Sequence, residues 1–352
     1  MKSIIKAALL WALLSTSAAA QNITHQIDSI VKASYEQNPE IGISLGFIHD
    51  NQEFYTAYGR LAKNSQIEIN KNSVFEITSI TKILTTNLIA QAQLEDKLKL
   101  DDYIDNYLPA VYKLQSTIRQ KIKLSDLASH RSGLPDLDFE KLMQLNPQQP
   151  VSSVNQDTLV ALVNNCSELL DHGHYRYSTL GYTLLGQILE NVYDKTFDEI
   201  IKEKIINPLQ LTNTLTTEFN IKNRTTGHST DGADREFLEW NITAAAGLVK
   251  SSASDMITYL KAILKEDQSI YKAAQITEQT VYKVENRDMG LGISSIKDGE
   301  NTIYLKSGDS MGQSSILCYN REKNWGIIIL LDHRNIKKRE HLLNEIYEKV
   351  LR

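Results

Sequence analysis

Strand-like segments lie at the two ends of this chain and helix-like segments fill the middle, and that order constrains the fold more than any other feature. Residues 41–48 and 53–59 are β-rich runs flanking His49-Asp50-Asn51-Gln52, which predicts a hairpin. Residues 302–305, 314–319 and 325–331 are again strand-like, and the turn Asn320-Arg321-Glu322-Lys323-Asn324 joins the last two. Between these ends, residues 79–94, 180–192 and 197–206 carry helical periodicity, and amphipathic helices are predicted at 23–37 and 337–351. Strands that pair through hairpins but come from opposite ends predict an α+β protein. Its mostly antiparallel sheet is flanked by N- and C-terminal helices and interrupted by an inserted helical lobe. The α/β lobe is expected from about residues 24–80 and 285–352 and the helical lobe from about 81–284.

The first twenty residues stand apart. Lys2 and Lys6 precede an apolar stretch from Ala7 to Leu14, and small residues ending Ala18-Ala19-Ala20 precede Gln21. This reads as a secretory signal peptide cut after Ala20, leaving residues 21–352 as one periplasmic or secreted domain. No later run approaches the roughly 20 apolar residues of a membrane-spanning helix. The net charge is −5, and no block of like charges offers a nucleic-acid footprint. Two cysteines, Cys166 and Cys318, exclude a disulfide framework and allow at most one bridge. No internal repeat or linker divides the chain, and a monomer is expected.

Three local signals compete for the role of reactive centre. Gly42-Ile43-Ser44-Leu45-Gly46 fits a G-x-S-x-G elbow, but its apolar residues alternate straight into the hairpin, as a plain strand would. S-x-x-K places an amine one helical turn from a hydroxyl, where a neutral amine can accept the hydroxyl proton. The spacing occurs five times, at Ser3/Lys6, Ser29/Lys32, Ser79/Lys82, Ser269/Lys272 and Ser294/Lys297. Only Lys82 is charged between Ile77 and Leu94, so it either snorkels past Thr81 and Thr85 or is desolvated into a neutral base. The third signal, Lys306-Ser307-Gly308, ends a β-rich run. It reads as a solvated strand end or as a dock for a carboxylate, with the glycine letting substrate approach the backbone.

Taken in order, these pieces resemble the S-x-x-K serine acyl-transferases: class C β-lactamases, penicillin-binding D,D-peptidases and esterases of the same β-lactamase/transpeptidase-like fold. The resemblance rests on Phe75-Glu76-Ile77-Thr78-Ser79-Ile80-Thr81-Lys82, Tyr177-Ser178-Thr179 and Lys306-Ser307-Gly308. His130-Arg131-Ser132-Gly133-Leu134-Pro135, Asn207-Pro208-Leu209-Gln210-Leu211 and Ala246-Gly247-Leu248 lie between them in the expected order. It implies that Ser79 forms an acyl-enzyme while Lys82 and Tyr177 share the proton traffic. Lys306 and Ser307 would hold the substrate carboxylate, and the backbone N–H groups of Ser79 and Asp309 would form the oxyanion hole. Two departures stand out. Thr179 replaces the usual asparagine, which bears on turnover more than on acylation, and the Asp309 carboxylate must point away from the cleft if it is not to repel an anionic substrate.

The implied substrate is a β-lactam or a peptidoglycan peptide ending in D-Ala-D-Ala. An esterase and a non-catalytic penicillin-binding sensor or scaffold remain as rivals. His172-Gly173-His174 lacks companions at ligand spacing and reads as an exposed loop at the cleft rim, so no metal is expected. No nucleotide-binding loop and no cofactor are implied.

Overall fold

The computed structural model describes residues 22–265 and 269–352, so the expected signal peptide lies outside the described residues. Helix α1 (22–37) leads into the hairpin β1 (Ile43–His49) and β2 (Gln52–Tyr58). Asp50 and Asn51 both have positive φ, 47° and 68°. That is the backbone of a two-residue turn whose twist matches the strands it joins. A short strand β3 (Phe75–Glu76) precedes the helical stretch α2 (Thr81–Leu94), α3 (Leu124–Ala128), α4 (Phe139–Leu145), α5 (Gln156–Asn164), α6 (Thr179–Tyr193) and α7 (Phe197–Ile201). The ribbon β4 (Gly227–His228) and β5 (Asp234–Arg235) follows, then α8 (Ala244–Gly247), β6 (Lys250–Ser251), which pairs with β3, α9 (Ala253–Leu264) and α10 (Ser269–Thr277). The chain closes with β7 (Tyr282–Val284), β8 (Arg287–Met289), β9 (Ser294–Asp298), β10 (Asn301–Asp309), β11 (Ser314–Asn320), β12 (Trp325–Leu331) and α11 (Ile336–Ile346).

Eight of these strands form one antiparallel sheet in the order β2-β1-β12-β11-β10-β9-β8-β7. Both ends of the chain do build it, since Ser44 of β1 sits opposite Leu330 of β12. Alternation sorts the side chains. Ile43, Leu45 and Phe47 with Ile327, Ile329 and Leu331 form one core with Ile27 and Val31 of α1 and Leu342 and Ile346 of α11. The opposite face, including Ile48, Ile328 and Leu330, packs on the helical side with Ile257 and Leu260 of α9. Gly46 serves that packing, because a Cβ there would lie 2.6 Å from Ile257.

Two expectations change, and the open question of a bridge is answered. β7, β8 and β9 were not apparent in the sequence, because short strands such as Tyr-Lys-Val and Arg-Asp-Met carry no apolar alternation. The run expected to stop at residue 305 continues to Asp309, so Lys306-Ser307-Gly308 lies inside β10. Cys166 and Cys318 are both buried and free, so no bridge joins them. Among the described residues, no helix is long and apolar enough to cross a membrane.

Candidate active site

Ser79 lies in the single 3₁₀ turn Thr78–Ile80 that opens α2, directly after Thr78, whose φ of +39° marks a strained backbone. One turn on, Lys82 is 1% exposed and donates from Nζ to the Ala246 carbonyl at 2.6 Å and to Ser79 Oγ at 3.3 Å. Burial pushes its amine down to about 7, with Asp136 opposing the shift. The snorkelling alternative therefore fails for Lys82, whereas Lys32, Lys272 and Lys297 of the other described S-x-x-K copies are exposed. Ser44 is buried near the start of β1, 3.4 Å from the Asn70 carbonyl, and presents no nucleophile.

Tyr177 precedes α6 and places its hydroxyl 2.7 Å from Ser79 Oγ. Its ring centroid is 5.1 Å from Lys82 Nζ and 5.3 Å from Lys306 Nζ. The Lys306 amine is pushed down to about 8 by desolvation, with Tyr177 opposing and Lys82 adding to the shift. A cleft of about 510 Å³ is lined by Ser79, His130, Tyr177, Lys306, Ser307 and Asp309 among others. Three segments distant in sequence thus bring Ser79 with Lys82, Tyr177 and Lys306 together, in an arrangement suited to nucleophilic attack with local proton transfer.

The readings of Gly308 and Thr179 need correction. Gly308 is not there to admit substrate. A Cβ on it would lie 2.1 Å from the Ile77 carbonyl, 2.5 Å from Thr78 Oγ1 and 2.8 Å from Ser315 Oγ, so the glycine seats β10 against the turn carrying Ser79. The Asp309 carboxylate accepts from Arg339 of α11 and from Ser314, both at 2.7 Å, and its charge is compensated away from Lys306. Thr179 opens α6, is 4% exposed, and lies outside the cleft lining. Its backbone N–H donates to both oxygens of Asp136. His172 approaches Asp126 at 3.5 Å and His174 approaches the Tyr282 hydroxyl at 3.1 Å, so the two imidazoles engage different partners.

Two residues of the site escaped the sequence reading. His130, φ +61°, accepts at Nδ1 from the Ser178 N–H, and its ring lies 4.4 Å from that of Tyr177. Burial, with Lys306 and Lys82 adding to it, holds its pKa well below the ordinary value, so it is a neutral imidazole bearing its proton at Nε2. Asp136 caps α6 by accepting from the N–H groups of Thr179 and Leu180. The signal was present: His130 opens the landmark segment, Gly133 turns it with φ +70°, and Asp136 follows directly after Pro135.

The Beta-lactamase family profile matches residues 27–349. The chain belongs to the Beta-lactamase family. It is a serine hydrolase of the β-lactamase fold. Within that family it is 24% identical over 348 residues to a beta-lactamase of Pseudomonas fluorescens, covering 88% of this chain and 94% of the relative. It is 23% identical over 384 residues to the D-alanyl-D-alanine-carboxypeptidase/endopeptidase AmpH of Escherichia coli K12, covering 99% and 96%. Among solved structures, a class C beta-lactamase superposes with a TM-score of 0.82 at 18% identity, covering 94% and 96%. A Beta-Lactamase/D-Alanine Carboxypeptidase from Pseudomonas syringae gives 0.81 at 20%, covering 94% and 100%.

Proposed function

We propose that this family member is exported to the periplasm or beyond and hydrolyses β-lactams through an acyl-enzyme at Ser79. The observation that carries the reading is the 2.7 Å approach of the Tyr177 hydroxyl to Ser79 Oγ, beside a buried Lys82 amine with a pKa of about 7. A neutral Lys82 takes the Ser79 proton, directly or through the Tyr177 hydroxyl, which passes on its own proton as it accepts the serine's, while Oγ bonds to the lactam carbonyl carbon. The C–N bond then breaks and the nitrogen leaves with a proton returned from the same pair. Water attacks the ester, releases the acid and restores Ser79.

The backbone N–H groups of Ser79 and Asp309 would hold the oxyanion, and Lys306 with Ser307 the substrate carboxylate. β9 begins opposite Leu305, so the following β10 residues Lys306 to Asp309 have no β9 partner on that edge. An extended substrate can add there as a further strand, which suits peptides and their lactam mimics.

The second reading is a D-alanyl-D-alanine carboxypeptidase/endopeptidase. Its support is the likeness, over 99% of this chain, to a protein named D-alanyl-D-alanine-carboxypeptidase/endopeptidase. The test follows colour release and intact mass of the purified protein and S79A with a chromogenic β-lactam. Sustained turnover lost in S79A supports the first reading, and a long-lived adduct supports the second. With neither colour nor adduct in the wild type, both fail, leaving an esterase or a non-catalytic binding protein.

A further inference from the structure

Away from the cleft, at the end of β12, three potential ligands crowd together. Asp332 and His333 leave the sheet as β12 ends, and His228 reaches them from the β4–β5 ribbon. Each offers one donor atom, and the three atoms lie within 4.8 Å of one another. All are buried, at 2% exposure for His228, 3% for Asp332 and 8% for His333. The two imidazole rings are 4.4 Å apart.

Ordinary packing leaves this cluster incompletely satisfied. His228 Nδ1 is buried without a hydrogen-bond partner, although Asp234 Oδ1 stands 2.9 Å away in ion-pair range but outside hydrogen-bond geometry. Asp332 Oδ1 accepts from the Gly42 N–H at 2.7 Å and contacts His333 Nδ1 at 2.6 Å, which fixes the carboxylate in place. Gly42 is required for that approach, since a Cβ there would lie 2.5 Å from Asp332 Oδ2. A cavity of about 310 Å³ reaches both His228 and Asp332 and supplies an entry path.

We propose that His228, Asp332 and His333, with Asp234 in reach as a fourth group, form a binding site for a divalent transition-metal ion of the zinc type. Two imidazoles and a carboxylate match that ion, whereas calcium and magnesium demand larger sets of oxygen ligands. The entering ion replaces Lys63, 3.6 Å from Asp234, as the cation facing that carboxylate. Its position gives it a structural task. The His228 backbone N–H already donates to the Asp332 and Gly312 carbonyls, so metal at this point ties the ribbon to the end of β12 and to the turn between β10 and β11.

The test uses chelator-treated full-length protein and a binding readout independent of hydrolysis. Zn²⁺ alone is titrated calorimetrically, and Co²⁺ alone is followed by its visible absorption. One saturable equivalent is expected, weakened about tenfold or more in both H228Q and H333Q. The H172A/H174A control should bind as wild type. No saturable binding overturns the proposal, as does binding that survives unchanged in folded H228Q and H333Q or that disappears in H172A/H174A. If either buried substitution prevents folding, the exposed Asp234→Asn decides in its place: weakened binding supports the site and unchanged binding overturns it.

Discussion

Replacing Gly308 with alanine separates two accounts of the Lys306-Ser307-Gly308 strand. If the glycine only cleared a path for substrate, the variant would fold normally and show a raised KM. The structure gives a different answer. A Cβ at 308 sits 2.1 Å from the Ile77 carbonyl, where ordinary contact begins near 3.4 Å, and its next neighbours are Thr78 Oγ1 and Ser315 Oγ. Neither β10 nor the turn at Ser79 can yield through a flexible side-chain end, so the backbone of one must shift by about 1 Å. Overpacking of this kind costs about 1–3 kcal/mol of stability. A nucleophile displaced by about 1 Å from its proton acceptors and its oxyanion donors loses about 10²-fold in acylation rate. Thermal unfolding reads the first quantity, and stopped-flow labelling with a fluorescent penicillin at saturation reads the second. A G308A protein with wild-type melting temperature and saturated acylation rate, and only a higher KM, refutes the packing argument.

Lys82→Met should stabilise the fold while abolishing acylation. Because the folded-state pKa of Lys82 is about 7 against an ordinary 10.5, the unfolded chain holds the extra proton between those values. The penalty of burying this lysine is therefore greatest below pH 7 and fades as pH rises toward 10.5, so K82M should gain about 1–4 kcal/mol at pH 6 and progressively less at higher pH in denaturant titrations. For the same reason, wild-type acylation should rise with pH through about 7. Tyr177→Phe removes the hydroxyl 2.7 Å from Ser79 and should slow acylation about 10²–10⁴-fold without lowering the melting temperature, by the same labelling assay. Asp309→Asn keeps the backbone N–H but leaves the buried Arg339 guanidinium with the exposed Glu340, at 3.5 Å, as its remaining acidic partner. It should cost about 3 kcal/mol in chemical denaturation and leave acylation of the folded fraction near wild type.

The hairpin at Asp50-Asn51 and the sheet drawn from both termini were legible because alternation and turn chemistry are local signals. β7 to β9 were not, because strands of three to five residues with polar faces depend on the neighbour they pair with. At the candidate site, Ser79, Lys82 and Lys306 stood out from the residues themselves, since a lysine alone in an apolar helix and a cation in a strand are unusual in sequence, whereas Tyr177 came only with the family resemblance. His130 and Asp136 act through contacts with Tyr177 and with the start of α6, and such contacts exist only after folding. The reason for Gly308 was likewise misread, because its crowding comes from Ile77, more than two hundred residues earlier.

The sheet order has a temporal consequence. Ser79 leaves the ribosome early, whereas the β10 residues that face its turn, and the β11 and β12 strands that join β10 to β1, are made last. The N-terminal hairpin must therefore wait with its β1 edge unpaired until almost the whole chain has been synthesised, since β12 is its partner there. Contacts so distant in sequence slow folding and leave an edge vulnerable to wrong partners in the interval. They also act as a safeguard: a chain cut short before β10 has a serine and a lysine side by side, but no strand opposite them to make an enzyme.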